Sequence, residues 1–177
     1  MTVSLVLTVI GPDRPGLVEA LSQSVASHDG NWLESRMAKM SGQFAGILRV
    51  SVPKDRAASL TEALRSLSPE GLQVVVASSE TGSVEDDSLN LHLDLLGSDR
   101  PGIIREISHA LASRGVNVDE LNTSIESAPM SGELLFRATA DLRVPAGLDL
   151  DELRSSLESL AYELMVDVTL DVPPPEP

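Results

Sequence analysis

The fold of this chain is decided by the stretch Gly11-Pro12-Asp13-Arg14-Pro15-Gly16, which follows an apolar run and precedes a segment with helical spacing. It recurs 86 residues later, in the same setting, as Gly97-Ser98-Asp99-Arg100-Pro101-Gly102. An Asp ahead of a Pro is typical of a helix start, because Asp can accept hydrogen bonds from first-turn N–H groups and Pro has no N–H to lose. Each stretch therefore predicts a strand, a tight turn and a helix whose open N-terminus suits a carboxylate or a phosphate.

The two stretches belong to a duplication that covers most of the chain. Aligning residues 5–35 with residues 91–121 gives 12 identities in 31 pairs, where chance would give roughly two. Each half follows the order β-α-β-β-α-β, which predicts an α+β protein of two ferredoxin-like domains in tandem. The predicted organisation is a first domain at 1–80, an acidic linker at 81–88, a second domain at 89–172 and a disordered Pro-rich tail at 173–177.

Hydrophobic periodicity gives the predicted elements of the first half. Strands are predicted at 3–10, 31–40, 43–52 and 72–77, with a turn at Ser41-Gly42. The first helix is predicted to end near Gly30 and to bury one face that consists of Leu17, Val18, Leu21 and Val25. The second helix is predicted to start at Asp55 and to bury Leu60, Leu64 and Leu67. The second half repeats this order, with Ser131-Gly132 at its turn.

Composition and charge argue against several classes of function. The net charge of −14, from 27 acidic and 13 basic residues, leaves no basic footprint for direct binding of DNA or RNA. The absence of cysteine excludes disulfides and thiolate metal sites, and fits a reducing compartment. With no run of 18 apolar residues and no basic leader, we expect a cytoplasmic protein without a membrane span or a signal peptide.

The residues that usually carry catalysis form no recognisable pattern. His28, His92 and His109 are scattered without metal-ligand spacing. The acidic run 85–87 lacks the loop pattern of a calcium site. Neither a nucleophile elbow nor a phosphate-binding lysine motif occurs. We therefore expect a protein that is not an enzyme and that uses no metal and no cofactor.

The repeated pattern resembles that of ACT domains, in which a strand, Gly-x-Asp-Arg-Pro-Gly-Leu/Ile and a helix are followed by Asn at the start of the next strand. Both halves carry this pattern. The segment Glu34-Ser35-Arg36-Met37-Ala38 and the segment Asn117-Val118-Asp119-Glu120-Leu121-Asn122-Thr123 are similar to segments of the tandem ACT proteins of the glycine cleavage system transcriptional repressor family.

The resemblance implies a regulatory protein that binds a small amino acid, of the glycine or serine class, where the turn and helix of one domain meet a neighbouring domain. The positions that match the ligand-binding positions of the family are Gly11, Asp13, Arg14, Gly16, Leu17 and Asn31, together with Gly97, Asp99, Arg100, Gly102, Ile103 and Asn117. It also implies action through a protein partner, such as a DNA-binding regulator, without direct contact with nucleic acid.

The chemistry of an amino acid fits these residues. Its carboxylate suits the free N–H groups of a helix start, and its ammonium suits an amide oxygen such as those of Asn31 and Asn117, which we expect beside the turn. Arg14 and Arg100 could pair with an acidic group of the protein as easily as with a ligand. Two other interpretations stay open: a ligand-free adaptor module, and a separate regulatory subunit of an enzyme of amino-acid metabolism.

The helices of a ferredoxin-like domain leave one face of its sheet uncovered. In the strand at 43–52, Ala45 and Ile47 point away from the side chains of Phe44, Leu48 and Val50. An apolar residue on the uncovered face indicates a contact with the other domain or with a second chain. We therefore expect a homodimer.

Overall fold

The computed structural model describes residues 1–79 and 87–173. The chain divides into two units, Met1–Val84 and Glu85–Pro177, and each unit contains one four-stranded sheet. The predicted linker, apart from residues 87 and 88, and the predicted tail, apart from residue 173, lie outside the described residues. The α+β fold with two ferredoxin-like domains is confirmed.

The elements of the first unit follow one another as β1 (Thr2–Pro12), α1 (Leu17–Ala26), β2 (Asn31–Met40), β3 (Gln43–Pro53), α2 (Ala57–Arg65) and β4 (Gln73–Ser79). Across the sheet the strands lie in the order β2-β3-β1-β4, and every neighbouring pair is antiparallel. All four predicted strands are present, with ends that differ from the prediction by at most two residues.

The second unit repeats this arrangement with β5 (Leu89–Ser98), α3 (Ile103–Ala112), β6 (Asn117–Ser127), β7 (Leu134–Val144), α4 (Leu150–Leu164) and β8 (Val166–Asp171). Its strands lie in the order β6-β7-β5-β8. The side chain of Asp149 caps α4, because Oδ1 accepts hydrogen bonds from the N–H groups of Asp151 at 3.0 Å and Glu152 at 3.1 Å.

The core of the first unit lies between the sheet and its two helices. Alternate residues of β1 are buried, as expected for a strand with one covered face. From α1, Leu17, Leu21 and Val25 enter the core, whereas Val18 is 48% exposed. The prediction for Val18 was wrong because a spacing of four residues keeps a narrow stripe on one helix face, and the next residue lies about 100° around the axis.

The start of α2 also differs from the prediction. A 3-10 turn at Lys54–Arg56 includes Asp55, and the α-helix begins only at Ala57. No side chain in the described part of the chain caps this helix, so Asp55 does not act as the predicted start signal. Leu67 lies beyond the end of α2, yet it is buried in the core as predicted.

A β-bulge interrupts the edge strand of each sheet at the same place. The pairing shifts between Trp32 and Glu34 in the first unit, and between Val118 and Glu120 in the second. An extra residue resets the alternation of a strand. As a result, Glu34 and Arg36 share the face of the sheet that the helices do not cover, which we call the open face.

Candidate functional site

The turn after the first strand of each unit leads into an uncapped helix. The residue that precedes the helix is Gly16 in one unit and Gly102 in the other, and both adopt left-handed conformations, with φ of 90° and 96°. The first helical hydrogen bond runs from the N–H of Ala20 to the carbonyl of Gly16, at 2.9 Å, so the N–H groups of residues 17–19 precede the helical ladder. Within the described ranges no side chain caps either helix, and the predicted open N-terminus is present in both units.

The two aspartates of the turns do not act as helix caps, contrary to the expectation from the sequence. Asp13 lies three residues before the capping position; its N–H donates to the carbonyl of Gly42 at 2.9 Å, and its carboxylate is 2.7 Å from the ammonium of Lys39. The N–H of Asp99 donates to the carbonyl of Leu134 at 3.0 Å. Their backbones therefore fasten the turns to the neighbouring hairpins, and their carboxylates remain partly exposed.

The two arginines of the turns donate hydrogen bonds to the segment that precedes the last strand of each unit. Nη2 of Arg14 donates to the carbonyl of Glu70 at 2.6 Å and lies 3.8 Å from the carboxylate of the same residue. Nη2 of Arg100 donates to the carbonyl of Glu163 at 3.3 Å. In both units the arginine thus connects the turn to the segment before the last strand, and its hydrogen bond goes to the main chain of the protein.

Four other predicted positions serve packing. A Cβ on Gly11 would lie 2.4 Å from the carbonyl oxygen of Gly71, and a Cβ on Gly97 would lie 2.4 Å from Cγ1 of Val166, so neither position has room for a side chain. The side chains of the residues that open α1 and α3 point into the two cores, and these residues are Leu17, 4% exposed, and Ile103, 2% exposed. A ligand at the turn could meet these two only through their backbone N–H groups.

The structure does not bring the two asparagines to the turns of their own units. Asn31 pairs with Ser51, which pairs with Ser4, seven residues before Gly11 on β1. At about 3.3 Å per residue this places Asn31 roughly 23 Å along the sheet from the turn. Asn117 is placed in the same way in the second unit. The expectation that these residues lie beside the turn was wrong within each unit, because the first helix returns the chain to the opposite end of the sheet.

A groove of about 440 Å³ opens at the N-terminus of α3, between α3 and α4. Its polar and charged lining comprises Arg100, Gly102, Arg105, Glu106 and Glu163. Side chains of both signs line this groove beside the helix start, and within it Nε of Arg105 donates to the carboxylate of Glu106 at 3.0 Å. Such a lining can hold a carboxylate and an ammonium of one small molecule at the same time.

In the corresponding region of the first unit, a lysine of the chain itself lies beside the turn. Lys39 of β2 pairs with Phe44, which pairs with Gly11, so the lysine reaches the turn. In the second unit the residue in this place is Ile125, which pairs with Phe136 beside Gly97. The carboxylate of the first turn therefore has a lysine partner that the second unit replaces with an apolar side chain.

The contact with Asp13 raises the pKa of Lys39 above its ordinary value of 10.5, through the hydrogen bond first and the Coulomb attraction second. Because the folded state raises this pKa, the pair stabilises the first unit while Lys39 is protonated, and this contribution is lost as the pH rises through the raised pKa of the lysine. In an Asp13→Asn variant we expect the NMR titration midpoint of Lys39 to fall. The only other lysine, Lys54, gives the reference signal, and an unchanged Lys39 midpoint would contradict the pairing.

Residues 1–79 and 87–173 contain neither a cluster of metal-binding side chains nor a membrane-spanning helix. No group of three or more His, Cys, Asp or Glu side chains is placed there to hold a metal ion. None of the helices is long and apolar enough to cross a membrane.

Comparison with known proteins supports the assignment of the fold. A family model for the ACT domain matches residues 4–77. A crystal structure of a protein of unknown function from Galdieria sulphuraria is 32% identical over 97% of this chain and 98% of its own, with a TM-score of 0.85. A crystal structure of a candidate glycine cleavage system transcriptional repressor is 20% identical over 97% of each chain, with a TM-score of 0.66. Among curated proteins, none matches this chain.

Proposed function

Because this chain belongs to the ACT-domain family, and its second unit repeats the fold of the first, we propose that it is a non-enzymatic regulatory protein that binds a small amino acid. We further propose that it acts in the cytoplasm through a protein partner that itself binds DNA, as the repressor-like resemblance implies. The net charge of −14 disfavours direct contact with nucleic acid.

The observation that carries this proposal is the groove at the N-terminus of α3. The carboxylate of an amino acid would accept hydrogen bonds from the free N–H groups at residues 103–105, where the helix dipole also favours negative charge. Its ammonium would pair with the carboxylate of Glu163, which lines the same groove, because the carboxylate of Glu106 already accepts hydrogen bonds from Arg105. Every α-amino acid carries both charges on one carbon and suits this arrangement, and the family resemblance implies a small one such as glycine or serine.

We assign the principal ligand site to the second unit. In the first unit, the ammonium of Lys39 already contacts the carboxylate of Asp13 at 2.7 Å. A ligand ammonium would have to compete there with a group that the chain supplies at high effective concentration. In the second unit Ile125 takes the place of Lys39. The internal cation there, Arg105, pairs with Glu106, which leaves Glu163 as the partner of the ligand ammonium.

A thermal-shift screen of the full chain against the twenty amino acids at millimolar concentration tests the proposal. A ligand that binds only the folded state raises the unfolding midpoint, by RT ln(1 + [L]/Kd) in free energy. We expect a selective shift with glycine or serine. No shift with any amino acid would contradict the sensor proposal and favour the ligand-free adaptor.

A further inference from the structure

Nearly all of the net charge of the chain belongs to its second unit. Residues 85–177 contain 19 acidic and 6 basic residues, a net charge of −13, whereas residues 1–84 contain 8 acidic and 7 basic residues, a net charge of −1. The two units share one order of helices and strands, so the fold itself does not require this charge. Because repulsion between like charges opposes a compact state, an excess that is confined to one of two similar units indicates a use in binding.

Much of this charge lies on the open face of the second sheet. Strand pairing places six carboxylates on that face, and these belong to Asp94, Glu120, Glu126, Asp141, Asp167 and Asp171. Two arginines, Arg137 and Arg143, lie among them. The open face of the first sheet instead carries one carboxylate, of Glu34, and two guanidinium groups, of Arg36 and Arg49. The two open faces therefore differ in the sign of their net charge.

One row of side chains crosses all four strands of the acidic face. It consists of Glu120 of β6, Asp141 of β7, His92 of β5 and Asp171 of β8. The row is about 14 Å long, at about 4.8 Å between neighbouring strands, and Nδ1 of His92 lies 2.7 Å from Oδ1 of Asp141. The matching row of the first unit has one charge of each sign and consists of Glu34, Arg49, Val6 and Ala77.

The two arginines of this face do not neutralise it. Arg137 lies between two carboxylates, with Nη1 3.3 Å from Asp94 and Nε 3.4 Å from Glu126. Nη2 of Arg143 lies 3.2 Å from the carboxylate of Asp119, which is the extra residue of the β-bulge. Each arginine therefore already has a carboxylate beside it, and the row that crosses the four strands contains neither an arginine nor a lysine.

The carboxylates are spread over the face and are accessible. Within residues 1–79 and 87–173, no three His, Asp or Glu side chains converge as the ligands of a metal ion do. The side chains of Asp94 and Asp141 are 38% and 56% exposed. An extended and accessible array of negative charge is complementary to an extended array of positive charge, such as the lysine and arginine side chains on the surface of another protein.

We propose that the open face of the second unit is the docking surface for a protein partner, and that a cluster of lysine and arginine side chains of the partner contacts it. This inference rests on the proposed function, because a partner that binds DNA carries such a cluster. The long basic side chains would pair with the carboxylates that the arginines of this chain leave over. Because opposite charges attract over a distance that salt shortens, the complex should weaken as the ionic strength rises.

Fluorescence anisotropy of a dye-labelled arginine nonapeptide, titrated with the full chain at an ionic strength of about 0.1 M, tests this surface. We expect the peptide to bind and the affinity to fall as salt is added. A triple variant with Glu120→Gln, Asp141→Asn and Asp171→Asn removes every carboxylate of the row and should weaken binding at least about tenfold. None of the three side chains is buried, so circular dichroism should show an unchanged fold.

The matched control removes the same number of charges from the helical layer, on the other side of the same sheet. Asp151→Asn, Glu152→Gln and Glu158→Gln change three exposed positions of α4. Because charges more than about 10 Å away are largely screened at this ionic strength, this variant should bind the peptide within about twofold of the wild type. Equal weakening by the two triple variants would overturn the proposal. So would an unchanged affinity in the row variant, or a wild-type chain that does not bind the peptide.

This titration and the thermal-shift screen give separate answers. If an amino acid raises the unfolding midpoint while the peptide does not bind the acidic face, the docking surface is wrong and the amino-acid sensor stands. If the peptide binds this face while no amino acid raises the midpoint, the docking surface stands and the sensor proposal is wrong.

Discussion

Replacing Gly11 with alanine is expected to lower the free energy of unfolding of the first unit by about 3 kcal/mol. The new Cβ would lie 2.4 Å from the carbonyl oxygen of Gly71 and 3.3 Å from Cα of Leu72. Both neighbours are backbone atoms, which cannot move aside as the end of a flexible side chain can. The chain must therefore separate β1 from the segment before β4, at the point where Arg14 also connects them.

Gly16→Ala provides the matched control for this prediction. No heavy atom outside its chain neighbours lies within 4 Å of a Cβ at this position, so the only cost is its φ of 90°, about 1 kcal/mol. Urea unfolding followed by tryptophan fluorescence can measure both variants, since the single tryptophan, Trp32, packs against the core of the first unit. Equal losses in the two variants would mean that close packing at Gly11 is unimportant.

Replacing Glu163 with glutamine is expected to weaken binding of the amino acid at least about tenfold, or 1.4 kcal/mol. The substitution keeps the shape of the side chain and removes the charge that would pair with the ligand ammonium. A hydrogen bond to a charged group contributes about 1.5–3 kcal/mol. The connection from Arg100 should persist, because it ends on the main-chain carbonyl of residue 163.

Glu70→Gln is the control, because Glu70 takes the same place in the first unit and also accepts the arginine through its main-chain carbonyl. Isothermal titration calorimetry measures the affinity of the wild type, Glu70→Gln and Glu163→Gln for the amino acid that the thermal-shift screen identifies. We expect wild-type affinity for Glu70→Gln. If this variant loses affinity and Glu163→Gln does not, the ligand site belongs to the first unit and the assignment to the second is wrong.

The sequence predicts the fold well because the spacing of apolar residues indicates each element locally, and the duplication gives the same order of elements twice. Burial alternates along β1, β3 and β7, and the 86-residue repeat supports the order of elements in both halves. The exceptions are local as well. Val18 and Asp55 were placed by pattern alone, whereas their final positions depend on which helix face meets the sheet and on a 3-10 turn before α2.

The candidate site could be predicted less well from the sequence, because it depends on which ends of the strands lie close together. Asn31 follows the turn closely in the chain, but α1 has ten residues and is about 15 Å long. That length was a usable signal that the asparagine belongs at the other end of the sheet. Lys39 and Glu163 could not be found in this way, since strand register and helix packing bring them to the turns.

The β-bulge in the edge strands is common to both halves of the duplicated chain. If the same residues paired without the bulge, every later residue in the strand would change faces, and Glu34 or Glu120 would turn toward the helices. The bulge lies between residues 32 and 34 and again between residues 118 and 120, at the same interval as the turns. The two units therefore share this irregular pairing as well as their turns, as expected if the unit that was duplicated already contained it.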